Sequence, residues 1–444
     1  IEKSGNQSVF TLETTFDDDK GIPERSDSLK RGWQANLLAE EILKIDSTKS
    51  FAIGITANWG QGKSYFIAMI MERLKHQKNV LTIEFNPWKN NSPQSIISHF
   101  FNNLNLVLSE YSGNISSSIE GYAELLLNAD TSELSKVFFK NIAEQRTIDD
   151  HFNSINEAIR KTGKKIVVVI DDIDRLDKTE VIEVIRLIRN TGNFNNTIFL
   201  AAYDRGYVLE AIKQLNEHNA DRYLEKIFQI QHVLPPIDRG TIRSHLVDIL
   251  NARILEFNFN DVFVNDVDSA TALNKIRFPL VEYYLENLRN VIQFCNSFVF
   301  NYKHLKEIVD MRDLFYLELI KFKHPNIYAA ISNEEGILIH DGRYSLAETE
   351  DSFNKKFALG ESTAWQTIEV LFDKSNTSST ALNLPNRFLL YFKCIDDPAL
   401  YQEFLSFIEN KNPIHIRETL QSWANEPQGV SKCNSILEYV TQKK

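Results

Sequence analysis

Residues 51–64 read FAIGITANWGQGKS. The stretch predicts a short buried strand, a tight loop and the start of a helix that continues through Tyr65–Met71. In such a loop the backbone N–H groups turn inward around phosphates, and the positive end of the helix points to the same place. The sequence therefore predicts a P-loop, in which Lys63 would reach the β- and γ-phosphates and the Ser64 hydroxyl would hold Mg²⁺.

The loop departs from the common pattern G-x-x-x-x-G-K-[ST] at its first position, where this chain has Ala57. Gly60 would supply the missing backbone freedom inside the loop. The alternative is a Gly-Lys-Ser sequence that occurs in a loop by chance. The predicted nucleotide contacts are the loop and the first helical residues, Asn58, Trp59, Gly60, Gln61, Gly62, Lys63, Ser64 and Tyr65.

A second motif lies at residues 166–175, which read IVVVIDDIDR. A continuous β-branched run predicts a strand buried on both faces, as in the middle of a parallel sheet. The acids follow its C-terminal end, where open α/β sheets bind ligands. In this Walker B arrangement Asp171 would bind the Mg²⁺ shell and Asp172 would orient the attacking water, with Asp174 as the second candidate for that role. The alternative is a set of acids that only cap the next helix.

Three further strands are predicted, and they alternate with helices along the chain: Val80–Phe85, Thr197–Tyr203 and Gln231–Leu234. This alternation predicts an α/β fold, a three-layer core with a parallel sheet. Asp204 follows the strand Thr197–Tyr203, and it would either sense the γ-phosphate or cap the next helix.

From Arg239 onward the pattern is helical, with no strong strand until about Gly336–His340. We predict a helical domain after the core and then a mixed, mostly helical C-terminal region. The predicted division is an extended lead-in (1–25), a P-loop core (26–238) with a helical insertion (94–160), a helical lid or sensor domain (239–330) and the C-terminal region (331–444).

Composition is that of an ordinary globular protein, with 444 residues, 43% hydrophobic residues and a net charge of −11. The negative charge argues against a surface that binds nucleic acid broadly.

The three cysteines, Cys295, Cys394 and Cys433, have no metal-ligand spacing, so we expect neither a zinc site nor disulfides. No apolar run reaches the ~18 residues of a spanning helix, which favours a cytoplasmic protein. The chain begins with Ile1 rather than Met, so membrane association through an upstream segment stays an alternative.

Several motifs together resemble the KAP family of P-loop NTPases, a branch of the additional-strand, catalytic-acid ATPases that includes AAA+ and STAND proteins. The family's G-x-W-G-x-G-K-[ST] resembles residues 57–64, except at Ala57, and its sensor-arginine segment is similar to residues 288–296, which include Arg289. The other matching motifs are F-N-x-W at Phe85–Trp88, I-D-D-[IL]-D-R at Ile170–Arg175, Y-L-E-K-I at Tyr223–Ile227 and D-x-L-x-R at Asp27–Arg31. The resemblance covers residues 26–330.

The resemblance implies ATP and Mg²⁺ as ligands and ATP-driven or ATP-gated conformational switching. Bacterial members are often linked to defence against phage or plasmids, which is an association and not a site-based argument. Many relatives carry transmembrane helices between the P-loop and Walker B, where this chain has residues 94–160 and no span.

We therefore expect an ATPase that cleaves the β–γ phosphoanhydride, with Asp172 favoured over Asp174 because it follows the metal acid directly. Asp174 is expected to face a helix or a neighbouring subunit. Besides Lys63, Arg289 would supply a cation in cis, or Arg175, Arg205 or Arg222 would supply one in trans, within a homo-oligomer or a complex with a protein partner. The runner-up is a slow or non-hydrolysing nucleotide sensor. A nucleic-acid motor is opposed by the acidic balance and by the lack of an aromatic-basic groove.

Overall fold

The computed structural model describes residue 27 and residues 29–89, 92–111, 115–129, 147–214, 219–265, 275–359, 362–373 and 375–392, with five single positions from 414 to 422. The described residues form two compact units, which divide between Thr241 and Ile242. The predicted lead-in, residues 1–25, lies outside the described residues, as does most of the chain beyond residue 392. The predicted four-part division stays a prediction.

The first unit is built on a five-stranded parallel sheet, as the alternating pattern predicted. The spatial order is β2-β3-β4-β1-β5. The strands are β1 (Phe51–Thr56), β2 (Val80–Phe85), β3 (Lys165–Ile170), β4 (Thr197–Tyr203) and β5 (Ile230–Val233). β4 thus lies between the strand that enters the loop at residue 57 and the strand that ends at the acids. The carboxyl ends of all five strands meet at one edge of the sheet, where ligands bind in open α/β folds.

Among the described residues, eight helices surround this sheet: α1 (Gly32–Lys44), α2 (Lys63–Lys75), α3 (Pro93–Ser109), α4 (Ile115–Ala129), α5 (Ile148–Thr162), α6 (Lys178–Arg186), α7 (Arg205–Lys213) and α8 (Ala220–Glu225). Three of them begin at capping boxes, in which the side chain of Ser92, Thr147 or Asp177 accepts from the backbone three residues on. α6 continues into a π-helical turn, Leu187–Thr191, and single 3₁₀ turns follow β2 (Pro87–Lys89) and β3 (Ile173–Arg175).

β3 shows why its sequence is continuously apolar. Val167 and Val169 pack with α1 and α2 on one face, while Ile166, Val168 and Ile170 pack with the other helices on the opposite face. Each residue of this strand is therefore buried on one side or the other, which confirms the three-layer core. The segment predicted as a helical insertion contributes to this core, since the ring of Phe100 in α3 lies 5.7 Å from that of Phe85.

The second unit is mostly helical. Its helices are α9 (Arg239–Arg253), within which the chain passes from one unit to the other, α10 (Phe259–Val262), α11 (Phe278–Tyr284), α12 (Leu288–Leu305), α13 (Met311–Lys323), α14 (Pro325–Ser332), α15 (Glu350–Phe357), α16 (Thr363–Leu371) and α17 (Pro385–Phe388), followed by a 3₁₀ turn (Leu389–Tyr391). α13 is central, and its Phe315 ring lies 4.9 Å from that of Phe294.

Two strand pairs interrupt these helices in the part of the unit that the structure describes. β6 (Phe263–Val264) pairs in parallel with β7 (Ile276–Arg277), and β8 (Ile337–His340) pairs antiparallel with β9 (Arg343–Leu346). The first pair was not predicted, because two residues are too few to show an alternating pattern. Of the helices described, none is both long enough and apolar enough to cross a membrane.

Candidate nucleotide site

The loop of residues 57–64 connects β1 to α2 at the carboxyl edge of the sheet. Gly60 and Gly62 both have a positive φ, +77° and +78°, which glycine adopts without strain. A Cβ atom on Gly62 would lie 2.9 Å from Cδ1 of Leu29, so the leucine side chain would have to shift to admit it. α2 begins at Lys63, and its first backbone N–H groups lie where the loop ends.

Lys63 is the cation of this site, and it is held by two groups. Its Nζ lies 3.0 Å from Oδ2 of Asp174 and donates to the carbonyl oxygen of Ala57 at 3.1 Å. The two charged side chains are 9% and 5% exposed. The sequence predicts that Asp174 faces a helix or a neighbouring subunit. The structure places it against Lys63, the first residue of α2, because the turn after β3 brings the chain back toward the loop.

Ser64 and Asp171 meet beside this pair. The Asp171 carboxylate is hydrogen-bonded to the Ser64 side chain and accepts the backbone N–H of Asp172 at 2.8 Å. Burial raises the pKa of Asp171, and Asp174 adds to that rise, whereas the two hydrogen bonds and Lys63 oppose it. A hydroxyl and a carboxylate are ligands that Mg²⁺ accepts, and a cation there would favour the ionised carboxylate. The donor set of this chain therefore fits Mg²⁺.

Asp172 has a left-handed backbone, with φ 58° and ψ 36°, which is uncommon for a residue other than glycine. Its Oδ1 lies 3.3 Å from Nε of Arg175, whose guanidinium lies 5.6 Å from the ring centre of Trp88. Arg175, a predicted candidate for a cation in trans, is thus paired within its own chain. The role of Asp172 toward water stays a prediction.

The other predicted site residues have mixed surroundings. Oδ1 of Asp204 accepts the backbone N–H of Tyr207 at 3.1 Å, so Asp204 caps α7, which is one of its two predicted roles. Arg205 pairs with Asp221 at 2.8 Å. Arg289 lies in the first turn of α12, in the second unit, and its part in catalysis stays a prediction. Asn58, Trp59 and Ser64 are exposed along the loop, whereas Gln61 and Tyr65 are half-buried.

Arg31 is a residue of this region to which the sequence assigned no role. Its side chain is buried, and its two terminal nitrogens donate to the carbonyl oxygens of Gln61 and Pro235, both at 2.6 Å. The carboxylate of Asp27 accepts the backbone N–H groups of Arg31 and Gly32 at 2.8 and 2.7 Å. The D-x-L-x-R motif marked these positions, but a motif does not show which atoms an arginine reaches.

A glycine loop that enters a helix through lysine and serine, opposite a buried strand that ends in acids, defines the class of P-loop NTPases. The family model described as KAP family P-loop domain matches residues 31–305. This match covers more than half of the chain, and the chain belongs to the KAP family of P-loop NTPases.

The comparisons also found more distant similarities. The phage T7 exclusion protein of Escherichia coli (strain K12) is 24% identical over 341 residues, which are 66% of this chain and 44% of that protein. The chain thus spans less than half the length of this relative. Among solved structures, Cdc6p of Pyrobaculum aerophilum has a TM-score of 0.40 at 13% identity, covering 84% of this chain and 94% of that one. The ORC1 protein of Aeropyrum pernix, in complex with DNA, has a TM-score of 0.32 at 15% identity, covering 69% and 65%.

Proposed function

We propose that this chain binds ATP with Mg²⁺, hydrolyses its β–γ phosphoanhydride and uses the nucleotide state as a conformational switch. One observation carries the proposal. A lysine and a serine from the start of α2 lie within hydrogen-bonding distance of two carboxylates from the end of β3, Lys63 with Asp174 and Ser64 with Asp171. Two segments more than 100 residues apart supply the charges that a triphosphate and its metal need.

Lys63 would bind the phosphates. Because its ammonium lies at the N-terminus of α2, its charge adds to the positive end of the helix. Low exposure strengthens this attraction, since water screens it less. Phosphate binding requires Lys63 to exchange or share Asp174, its present partner at 3.0 Å.

Ser64 and Asp171 would hold Mg²⁺. When bound, the ion neutralises charge that develops on the phosphates during transfer. The chain contributes the orientation of both ligands, since the Ser64 hydroxyl and the backbone N–H of Asp172 fix the Asp171 carboxylate.

Asp172 would orient the attacking water, and Asp174 is the second candidate. In the structure Asp172 pairs with Arg175, so its carboxylate has to share this partner or turn from it during catalysis. A further cation, Arg289 in cis or an arginine of another subunit, would increase the rate by roughly 10³–10⁵. We therefore expect slow turnover by an isolated monomer, and faster turnover in a homo-oligomer or with a protein partner.

A slow or non-hydrolysing nucleotide sensor is the second candidate function. Lys63 and Asp172 are both engaged in ion pairs within the chain, and Ala57 replaces the first glycine of the loop pattern. The name of the phage T7 exclusion protein supports defence against phage as the biological setting of either function.

The two functions differ in ATP turnover across a wide range of protein concentration. We expect specific activity to rise with concentration, and Asp172→Asn to reduce it about 100-fold or more while ATP still binds. Asp177→Asn is the matched control, because the Asp177 carboxylate caps α6 by accepting the backbone N–H groups of Thr179 and Glu180, and asparagine caps equally well. ATP binding without turnover at any concentration would favour the sensor, and turnover by Asp172→Asn near the wild-type rate would move the catalytic role to Asp174.

A further inference from the structure

Arg31 connects two segments that are far apart in the sequence. It is 3% exposed, and its guanidinium donates to the carbonyl of Gln61 in the P-loop and to the carbonyl of Pro235 after β5. Both distances are 2.6 Å. A planar guanidinium holds two acceptors in a fixed relative position, which an ammonium does not.

Gln61 makes a second connection between the same two segments. Its Oε1 accepts the backbone N–H of Ile237 at 3.0 Å. The neighbouring Gly62 lies so close to the arginine that a Cβ atom there would be 3.2 Å from Nη1 of Arg31. Residues 235–237 are therefore attached to the P-loop through two groups of Gln61. The main-chain carbonyl is connected through Arg31, and the side chain bonds to Ile237 directly.

The arginine itself is held in place. Asp27 accepts its backbone N–H, and its carboxylate offsets the effect of burial, which lowers the pKa of Arg31. A buried charge is costly unless hydrogen bonds satisfy it. The buried guanidinium of Arg31 donates to two carbonyl oxygens, which makes this a specific arrangement and not an incidental surface contact.

The attached segment leads out of the first unit. Residues 234–238 connect β5 to α9, within which the chain passes into the second unit after Thr241. A shift of the Gln61 backbone or side chain on phosphate binding would alter the bonds to Pro235 and Ile237 directly.

We propose that Arg31 and Gln61 couple the P-loop to residues 235–237, so that nucleotide binding is transmitted to the connection that leads to the second unit. The inference rests on the nucleotide binding proposed above. Arg31 is a positioning residue here, because it acts on the loop through the main chain of Gln61.

Hydrogen exchange at the amide of Ile237 tests the coupling in two stages. Without nucleotide, Gln61→Met keeps the side-chain length but removes the acceptor, and we expect this amide to exchange about three- to tenfold faster. Gln61→Glu keeps an acceptor oxygen and should retain the slower exchange. Gln214→Met, on an exposed glutamine at the end of α7, is the control and should leave this amide unchanged.

With saturating Mg²⁺–ADP or a non-hydrolysable ATP analogue, we expect the exchange rate of Ile237 to change severalfold in the wild type and in Gln61→Glu. With each variant saturated according to its own measured nucleotide affinity, Gln61→Met and Arg31→Lys should lose this change. Should Arg31→Lys fail to fold, the two Gln61 variants still decide the question.

The outcomes separate the inference from the function on which it rests. Nucleotide binding with no change at Ile237 in the wild type, or with the same change in Gln61→Met, overturns the coupling and leaves the proposed function standing. Failure of the wild type to bind any nucleotide overturns the proposed function and the coupling together.

Discussion

Each unit of the chain contains a buried ion pair, and the two pairs differ in what surrounds them. In the second unit Arg312 lies 3.1 Å from Asp313, which is fully buried. The carboxylate also accepts from the backbone N–H of Leu382 at 2.9 Å and from the amide of Asn376 at 3.1 Å. The fold itself therefore supplies the partners of this acid.

The ion pair in the first unit, Lys63 with Asp174, has a cation whose donors are not all used by the described residues. Lys63 has three donor hydrogens, and among the described residues it donates to Asp174 and to Ala57. It also adjoins a glycine loop and a helix N-terminus, both of which favour an anion. Burial of an ion pair therefore does not by itself identify a functional site. What identifies one is a charge that can exchange its partner for a ligand.

The largest effect is expected from a change in the Lys63–Asp174 pair. Lys63→Ala should weaken ATP binding by about 3 kcal/mol, or roughly 100-fold, because the cation that meets the phosphates is lost. Lys75→Ala removes an exposed lysine from the same helix and should leave the affinity unchanged. Titration calorimetry with Mg²⁺–ATP measures both, and micromolar binding retained by Lys63→Ala would refute the assignment of this lysine.

The contribution of the Arg312–Asp313 pair to stability should depend on pH and not on nucleotide. Burial, with Asp310 nearby, raises the pKa of Asp313 to about 6, above the unfolded value of about 4. The folded state then binds the extra proton between these values, so this group's contribution to the free energy of unfolding falls by about 2–3 kcal/mol as pH rises through that window. Asp313→Asn does not titrate and should lack this fall.

Urea unfolding of the wild type and of Asp313→Asn gives the difference in unfolding free energy between the two proteins at pH 4 and at pH 7. The change in this difference between the two pH values is the contribution of Asp313. The same pH dependence in wild type and variant would show that Asp313 does not titrate as described. ATP affinity at pH 7 serves as the control and should be equal in the two proteins.

A smaller effect is expected from the partner of Lys63. Asp174→Asn removes the charge that competes with phosphate, so ATP should bind about 1.4 kcal/mol more tightly, or roughly tenfold. Asp177→Asn, an exposed cap, is again the control. If Asp174 were the catalytic base, the variant would instead lose turnover, and parallel measurement of affinity and rate distinguishes the two roles.

The smallest effect separates the two roles of Asp204. Because its carboxylate caps α7, Asp204→Ala should cost about 1 kcal/mol of unfolding free energy, whereas Asp204→Asn should cost little. If capping is its whole role, Asp204→Asn also keeps turnover within about twofold. A loss of turnover with unchanged stability would show that Asp204 senses the γ-phosphate.

The sheet could be predicted from sequence because its strands carry strong local signals. β2 and β4 have the predicted bounds, and β3 differs by one residue, since runs such as Val167–Ile170 are buried whichever helices cover them. The strand order is not a local property. The placement of β4 between β1 and β3 rests on crossover connections between distant segments.

The same distinction applies to the site. Lys63, Ser64 and Asp171 could be placed by motif, because the loop and the strand end position them directly. Asp174 could not, since its contact depends on how one short turn after β3 closes against the loop. Arg31 could not either, because its partners are main-chain carbonyls, and a carbonyl leaves no residue-specific signal in the sequence.

A crystal structure of the chain with Mg²⁺ and a non-hydrolysable ATP analogue would show whether Lys63 exchanges its carboxylate partner for a phosphate. We predict that Nζ of Lys63 moves from Oδ2 of Asp174, now at 3.0 Å, to a phosphate oxygen, with the ion beside Ser64 and Asp171. A nucleotide bound elsewhere, or bound here with the Lys63–Asp174 pair unchanged, would contradict the account.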